Sequence, residues 1–268
     1  MSLNLHMRPL FARCWPTTPF TSLGRATSSR GLATKATTRP PLVRELHIID
    51  QRQHWERIGF TMHESGVFNV GAVRLRVQPE GIQPEDRRPG ISGIGFLNVH
   101  GKNFTTCTDG LHFWSLPNDN EHVRPPHGDS QHGNGAYKID HVVLRTTNVE
   151  RTNDWLVDQV GLTLRKRTTD IYPGATQLFY REDHFSKDVP IVEVVGPTCV
   201  DNSPEETQAY VWGVTFVVPS LMQVRNIIGV DHTSAIKPAK QKGRDICILK
   251  KSGNVSTNVA FMTPHRHV

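Results

Sequence analysis

Acidic side chains are missing from the first 44 residues of this 268-residue chain, which hold Arg8, Arg13, Arg25, Arg30, Lys35, Arg39 and Arg44. Without those seven charges the formal net charge of +6 falls to −1, so the pI near 9.3 belongs to the N-terminal segment and not to the rest of the chain. A nucleic-acid-binding domain gathers its basic residues on the folded body, and net charge lends that reading no support. Cysteine is scarce. Cys14, Cys107, Cys199 and Cys247 stand far apart with no CxxC pair, which argues against a disulfide-dense scaffold and a structural zinc finger. Apolar runs are short. No stretch of eighteen apolar residues occurs, so no segment reads as a transmembrane helix. Neither nucleic acid nor a membrane is an expected partner.

What is present divides into four parts. Residues 1–42 are rich in Arg, Ser and Thr and punctuated by Pro9, Pro16, Pro19 and Pro40, the composition of an organelle transit peptide. Ser28–Thr34 is similar to a mitochondrial presequence cleavage region; a plastid address and a disordered tail are the alternatives. A secretory signal is disfavoured because no adequate apolar stretch follows Arg8. Residues 43–116 begin with an extended run at Glu45–Ile49. Gln51–Ile58 is helix-like, with Trp55 and Ile58 on one side and Gly59 as the stop. Phe68–Val77 alternates as one half-buried strand, Ile91–Val99 is a second strand interrupted by Gly93 and Gly95, and His112–Leu116 closes the region. Residues 117–137 form a linker of Pro, Gly, Asn, Asp and His. Its His122, His127 and His132 read either as a metal tract or, more simply, as solvated loop histidines.

The C-terminal half, residues 138–264, carries the clearest pattern. Lys138–Thr147 is a strand and Val149–Val160 a helix with Asn148 as N-cap and Gly161 as stop. Leu162–Asp170, Thr176–Arg181 and Pro190–Val195 are strands. The order then recurs, with a strand at Tyr210–Val218, a helix at Ser220–Ile228, and strands at Ser234–Ala239, Asp245–Lys250 and Thr257–Thr263. Two copies of βαβββ amount to an internal repeat.

The segments IDHVVLRTTN (139–148), VDQVGLTLRK (157–166), QLFYRE (177–182), IVEVVGP (191–197), WGVTFVVPS (212–220) and NVAFMTP (258–264) resemble, in this order, the glyoxalase/bleomycin-resistance/extradiol-dioxygenase, or vicinal oxygen chelate, superfamily. The resemblance implies an α+β fold in which tandem βαβββ modules form curved mixed sheets around a central pocket. It also implies a divalent metal there, Zn, Fe, Mn or Ni, held by residues of a module's first and last strands. Those positions match His141 and Glu193. In the second module they match Gly213 and Ala260, which cannot ligate a metal. Residues 45–116 loosely echo the unit, as one degenerate N-terminal module or as an independent small domain.

Strand parity supports the same placement from the residues themselves. Side chains alternate faces along a strand, so Ile139, His141, Val143 and Arg145 share one face, as do Ile191, Glu193 and Val195. A carboxylate inside the aliphatic run IVEVV must be paired, protonated, metal-bound or turned to solvent. Parity adds Gln177, Phe179, Arg181, Thr215, Asn258 and Met262 to the lining, with Arg145 and Arg181 suited to a carboxylate. His141 and Glu193 are therefore the expected catalytic pair, as metal ligands or as an acid/base pair, and Arg145, Gln177, Phe179, Arg181, Thr215 and Asn258 the expected substrate-binding residues. The function the resemblance implies is that of a metal-dependent enzyme, of lyase or ring-cleaving dioxygenase type, acting on a small oxygenated metabolite. A metal-free binding protein of the bleomycin-resistance type is the alternative, and a structural subunit of an organelle complex stays open, as does a homodimer. A third metal ligand is sought in His184, His232 or another chain. Gly90–Gly95 lacks the spacing of a dinucleotide fingerprint, and Cys199 and Cys247 have no neighbour that would activate them.

Overall fold

The structure, a computed structural model, describes residues 40–78, 89–97, 105–108, 111–117, 132–171, 173–181, 189–198 and 209–265. Residues 1–39 of the expected leader, and His122, His127, His184 and Cys199, lie outside them. Within Arg39–Val268, which pack as one unit, the strands sort into two sheets. The first is built from β1 (Leu42–Ile49), helix α1 (Arg52–Arg57), β2 (Val67–Val70), β3 (Val73–Gln78), β4 (Gly90–Leu97), β5 (Thr105–Thr108) and β6 (Leu111–Ser115). Its strand order is β2-β3-β1-β4-β6-β5.

The second sheet follows the repeat. It takes β7 (Lys138–Thr146), helix α2 (Val149–Trp155) with one π turn at Leu156–Val160, β8 (Leu164–Thr168), β9 (Ala175–Tyr180) and β10 (Ile191–Pro197). Then come β11 (Ala209–Val217), helix α3 (Leu221–Ile228), β12 (Lys237–Pro238), β13 (Asp245–Ile248) and β14 (Asn258–Met262). The order is β12-β13-β14-β11-β7-β10-β9-β8. Asn148 is the expected N-cap, its Oδ1 accepting from Arg151 N at 3.0 Å; Ser220, read from the sequence as the first residue of its helix, is a cap as well, its Oγ accepting from Gln223 N at 3.2 Å, and each satisfies an otherwise orphaned helix donor.

Both sheets have the same internal symmetry. In the second, β7 pairs in parallel with its unit's last strand β10, β11 does so with β14, and β7 and β11 meet antiparallel at the centre. In the first, β1 pairs in parallel with β3, β4 with β6, and β1 and β4 meet antiparallel. The N-terminal region thus repeats this pairing in two shorter units: among the described residues β1, α1, β2 and β3 lack one strand, and β4, β5 and β6 lack one strand and the helix. Two readings of that region change. Phe68–Val77 is a hairpin, β2 and β3, because buried Phe68 and Val70 fall out of phase with buried Val73, Leu75 and Val77 across the Gly71-Ala72 turn. Gly93 and Gly95 do not interrupt β4; they let the Trp114 ring lie on it, and a Cβ at either would sit 2.6 Å from that ring.

Every unit also shares one irregularity. Register shifts place an extra residue in the first strand, at Arg44, Ser92, Asp140 and Trp212. Buried core residues flank each insertion at a spacing of three: Val43 and Leu46, Ile91 and Ile94, Ile139 and Val142, Val211 and Val214. A bulge of this kind lets two consecutive residues leave the core face together. Ile139 consequently lies in the core beside Phe216, not with His141 as strict alternation predicts.

The apolar faces of the two sheets meet in one core. Trp55 of α1 touches both Phe68 and Phe216, Phe60 packs on Phe216 with centroids 4.8 Å apart, and Phe113 packs on Trp155 at 4.2 Å. His132 is part of this seam and not a solvated loop residue. It is buried, its Nδ1 accepts from Thr61 N at 3.1 Å, and its Nε2 donates to Asn69 O at 2.8 Å. Burial holds its pKa below the ordinary range, against the hydrogen bond to Asn69, so the ring is neutral. Asp50, 1% exposed, is the polar tie: its carboxylate accepts from Gln51 N, His54 Nδ1, Trp55 Nε1 and, across the halves, Ser256 N at 2.8 Å. Asp50→Ala leaves the buried Trp55 Nε1 without an acceptor and removes the tie to Ser256, and is expected to cost about 2–3 kcal/mol, read as a lower denaturant midpoint at unchanged slope.

Candidate functional site

The site lies on the face of the second sheet that turns away from the core. In β7 and β10, Val142, Leu144, Val192 and Val194 are buried in the core, which leaves His141 and Val143 beside Ile191 and Glu193 on the opposite face. Ile191 pairs with His141 and Glu193 with Val143, so His141 and Glu193 stand one diagonal step apart on adjacent strands. Both expected catalytic residues therefore occupy one surface.

The bulge at Asp140 builds the surroundings of His141. Because Asp140 and His141 leave the core face together, the Asp140 carboxylate reaches its neighbour's ring, with Oδ2 2.9 Å from Nδ1. Asp140 Oδ1 takes a second bond from Arg244 Nη1 at 2.6 Å, and Arg244 is itself held by Thr263 O and Gln241 Oε1, each at 2.6 Å. Burial opposes ionisation of Asp140, but the hydrogen bonds and charges of His141 and Arg244 outweigh it and hold the carboxyl far below its ordinary range. An ionised Asp140 fixes the proton on His141 Nδ1, leaving Nε2 to accept from Thr215 Oγ1 at 3.0 Å. Asp140 and Arg244 were not among the site residues expected from sequence. The adjacency of Asp140 and His141 was visible, yet strand alternation assigns them opposite faces.

Glu193 has a different environment. Gln177 Nε2 donates to its Oε1 at 2.9 Å, and Phe179 pairs with it across β9 and β10. Burial pushes the Glu193 pKa above its ordinary value, against the charge of His141 and the Gln177 bond. Gln177 is 1% exposed, and its Oε1 has no hydrogen-bond partner. Thus His141, Thr215, Glu193, Gln177 and Phe179 come together. Arg145 is exposed at the rim, opposite Tyr210, and Arg181 is exposed beyond the end of β9. Asn258 is exposed beside Gly213, with Nδ2 donating to Trp212 O at 2.8 Å, and Met262 is buried.

The expected metal finds a poor donor set. Both ring nitrogens of His141 are engaged inside the protein. Register confirms Gly213 and Ala260 as the counterparts of His141 and Glu193, and a Cβ at Gly213 would fall 2.7 Å from Asn258 O, so no larger donor fits there. His232 is engaged elsewhere, with Nδ1 3.0 Å from Ser252 Oγ. Among the described residues no group of three His, Cys, Asp or Glu side chains is arranged to hold a metal ion, whereas catalytic zinc sites keep three protein ligands. The described residues do not fit a metal centre. Cys247 offers no nucleophile: burial pushes its thiol up to about 11.

No protein-family model and no curated protein matches the sequence. Solved structures do match. A mutant of 4-hydroxymandelate synthase from Streptomyces coelicolor is similar over 86% of this chain and 94% of its own, with a TM-score of 0.58 at 10% identity. The fold is that of the vicinal oxygen chelate proteins. Methylmalonyl-CoA epimerase from Mycobacterium tuberculosis is similar over 49% of this chain and 91% of its own, with a TM-score of 0.37 at 10% identity. The Streptomyces coelicolor epimerase covers 49% of this chain and 99% of its own, with a TM-score of 0.37 at 12% identity.

Two predictions follow from the electrostatics. Asp140→Ala leaves the buried Arg244 without its carboxylate and is expected to destabilise the protein by about 3–5 kcal/mol, measured by denaturant unfolding. For Glu193 the folded-state pKa is raised above 4.5, so the folded protein keeps a proton that the unfolded chain releases, and stability falls as pH rises from that value through the folded one. Glu193→Gln has no such slope. Melting curves at pH 5 and pH 8 are expected to show the wild type losing ground to this variant as pH rises.

Proposed function

We propose that the cup around His141 and Glu193 is an acid–base site for a small oxygenated molecule, working with the protein's own groups. The observation that carries this reading is the placing of a buried carboxyl and a hydrogen-bonded imidazole on one face of the sheet, one diagonal step apart. Burial favours the neutral, proton-bearing form of Glu193, and Asp140 fixes one tautomer of the neighbouring His141. A proton donor and a proton acceptor within reach of one substrate are what general acid–base catalysis needs. Glu193 would donate to a substrate oxygen. His141, through Nε2 once Thr215 yields its bond, would take a proton from the adjacent carbon, with Asp140 holding the ring as it becomes charged. Gln177 Oε1, buried without a partner, would accept from a substrate hydroxyl. Arg145 at the rim suits a carboxylate. The metal-dependent lyase or dioxygenase reading requires a third donor that the described residues do not supply.

A metal-free binding protein is the second reading, and the engagement of both His141 ring nitrogens favours it. An aryl 2-oxo acid, which carries a carbonyl oxygen beside an exchangeable carbon-bound proton, separates the two. Full-length protein, treated with a chelator, is incubated with phenylpyruvate in D2O, and exchange at the benzylic carbon is followed by proton NMR. Exchange faster than in buffer is expected, falling by about 100-fold or more in Glu193→Gln. Saturable binding without exchange supports the binding protein. Exchange that appears only when zinc, iron, manganese or nickel is restored would overturn the metal-free mechanism.

A further inference from the structure

The first sheet carries different ionisable side chains at the positions that form the cup in the second. With the bulges aligned, Glu45 corresponds to His141, Arg74 to Ile191 and Arg76 to Glu193, since Glu45 pairs with Arg74 and the neighbouring His47 with Arg76. Arg74 and Arg76 alternate with buried Val73, Leu75 and Val77, so both guanidiniums stand on the face away from the core. A cavity of about 660 Å3 opens against them, lined also by Met62, His63, Phe68 and Asn69. That volume lies within the range of pockets that take small-molecule ligands, roughly 300–1,000 Å3.

Three observations indicate what it takes. The charges of Arg76 and Arg74 are felt on this face: burial opposes ionisation of Glu45, but the His47 hydrogen bond and the charges of His47, Arg76 and Arg74 outweigh it and lower its pKa. Arg76 is not closed onto that carboxylate. Its Nε lies 3.8 Å from Glu45 Oε1, beyond the roughly 2.7–2.9 Å of a charge-assisted bond, and Glu45 Oε1 already holds His47 Nε2 at 2.6 Å. Finally, Asn69 Oδ1 is buried with no hydrogen-bond partner, an acceptor that a ligand hydroxyl would satisfy.

We propose that this pocket binds a small hydroxylated anion, with its carboxylate or phosphate on Arg74 and Arg76 and its hydroxyl on Asn69. The site is separate from the cup and does not depend on the function proposed for it. The test is calorimetric titration of the full-length protein with glycerol 3-phosphate, glycerate and glycerol at low, fixed ionic strength. One saturable site is expected for at least one of the two anions and none for glycerol, with affinity falling as salt is added. Tighter binding of glycerol 3-phosphate assigns a phosphate ligand; tighter binding of glycerate assigns a carboxylate. Arg76→Gln is expected to weaken binding about tenfold or more, while Glu193→Gln binds as the wild type does. Asn69→Ala removes a buried acceptor that has no partner, so it keeps the fold and is expected to weaken the same ligand severalfold, which keeps the test decisive if Arg76→Gln does not fold. Absence of saturable binding by either anion, binding unchanged in both Arg76→Gln and Asn69→Ala, or binding lost in Glu193→Gln overturns the proposal.

Discussion

One extra residue in the first strand of each unit determines what the sheet can present to a ligand. A regular strand between Ile139 and Val142 cannot bury both, because residues three apart point to opposite faces. The bulge at Asp140 resolves this. Both aliphatic side chains reach the core, and Asp140 and His141 leave the core face together. The Asp140–His141 contact, the Arg244 clamp and the fixed tautomer of the imidazole all depend on that local change of parity.

The same device in all four units makes their differences informative. At the position after the bulge stand Glu45, Gly93, His141 and Gly213. In each sheet one unit supplies a titratable side chain and its partner supplies a glycine. The glycines answer to crowding: at Gly93 the space for a Cβ is taken by Trp114 and His112, and at Gly213 by Asn258. The partner unit therefore closes the centre of each sheet with backbone approach and leaves the chemistry to its neighbour. Across the two sheets the charge logic reverses. Glu45 is lowered by His47 and two arginines despite burial, whereas burial prevails at Glu193. One scaffold thus carries a face where two arginines flank an acidic side chain and another where burial dominates the carboxyl.

Much of this was legible in the residues. The repeated βαβββ order and the shared face of His141, Glu193, Gln177, Phe179 and Thr215 follow from hydrophobic spacing, because helix and strand periods are properties of local sequence, and the cap at Asn148 follows from its side chain at the helix start. The N-terminal half was less legible. Its units are short, and the phase change at Gly71-Ala72 reads as continued alternation unless the buried residues are known. His132 looked like a loop residue because the partners that bury it, Thr61 and Asn69, are distant in the chain.

The sequence by itself determined the α+β class, the tandem repeat and the side chains available to the cup, since composition and periodicity act over a few residues at a time. Only the tertiary structure decided which of those side chains meet. Bulges shift parity in response to pairing with another strand, and Arg244 reaches Asp140 from more than a hundred residues away. A donor set is also a property of space. Whether His141 has a free nitrogen, or whether a side chain fits at Gly213, depends on Thr215 and Asn258, whose approach is fixed by sheet register and not by their place in the chain.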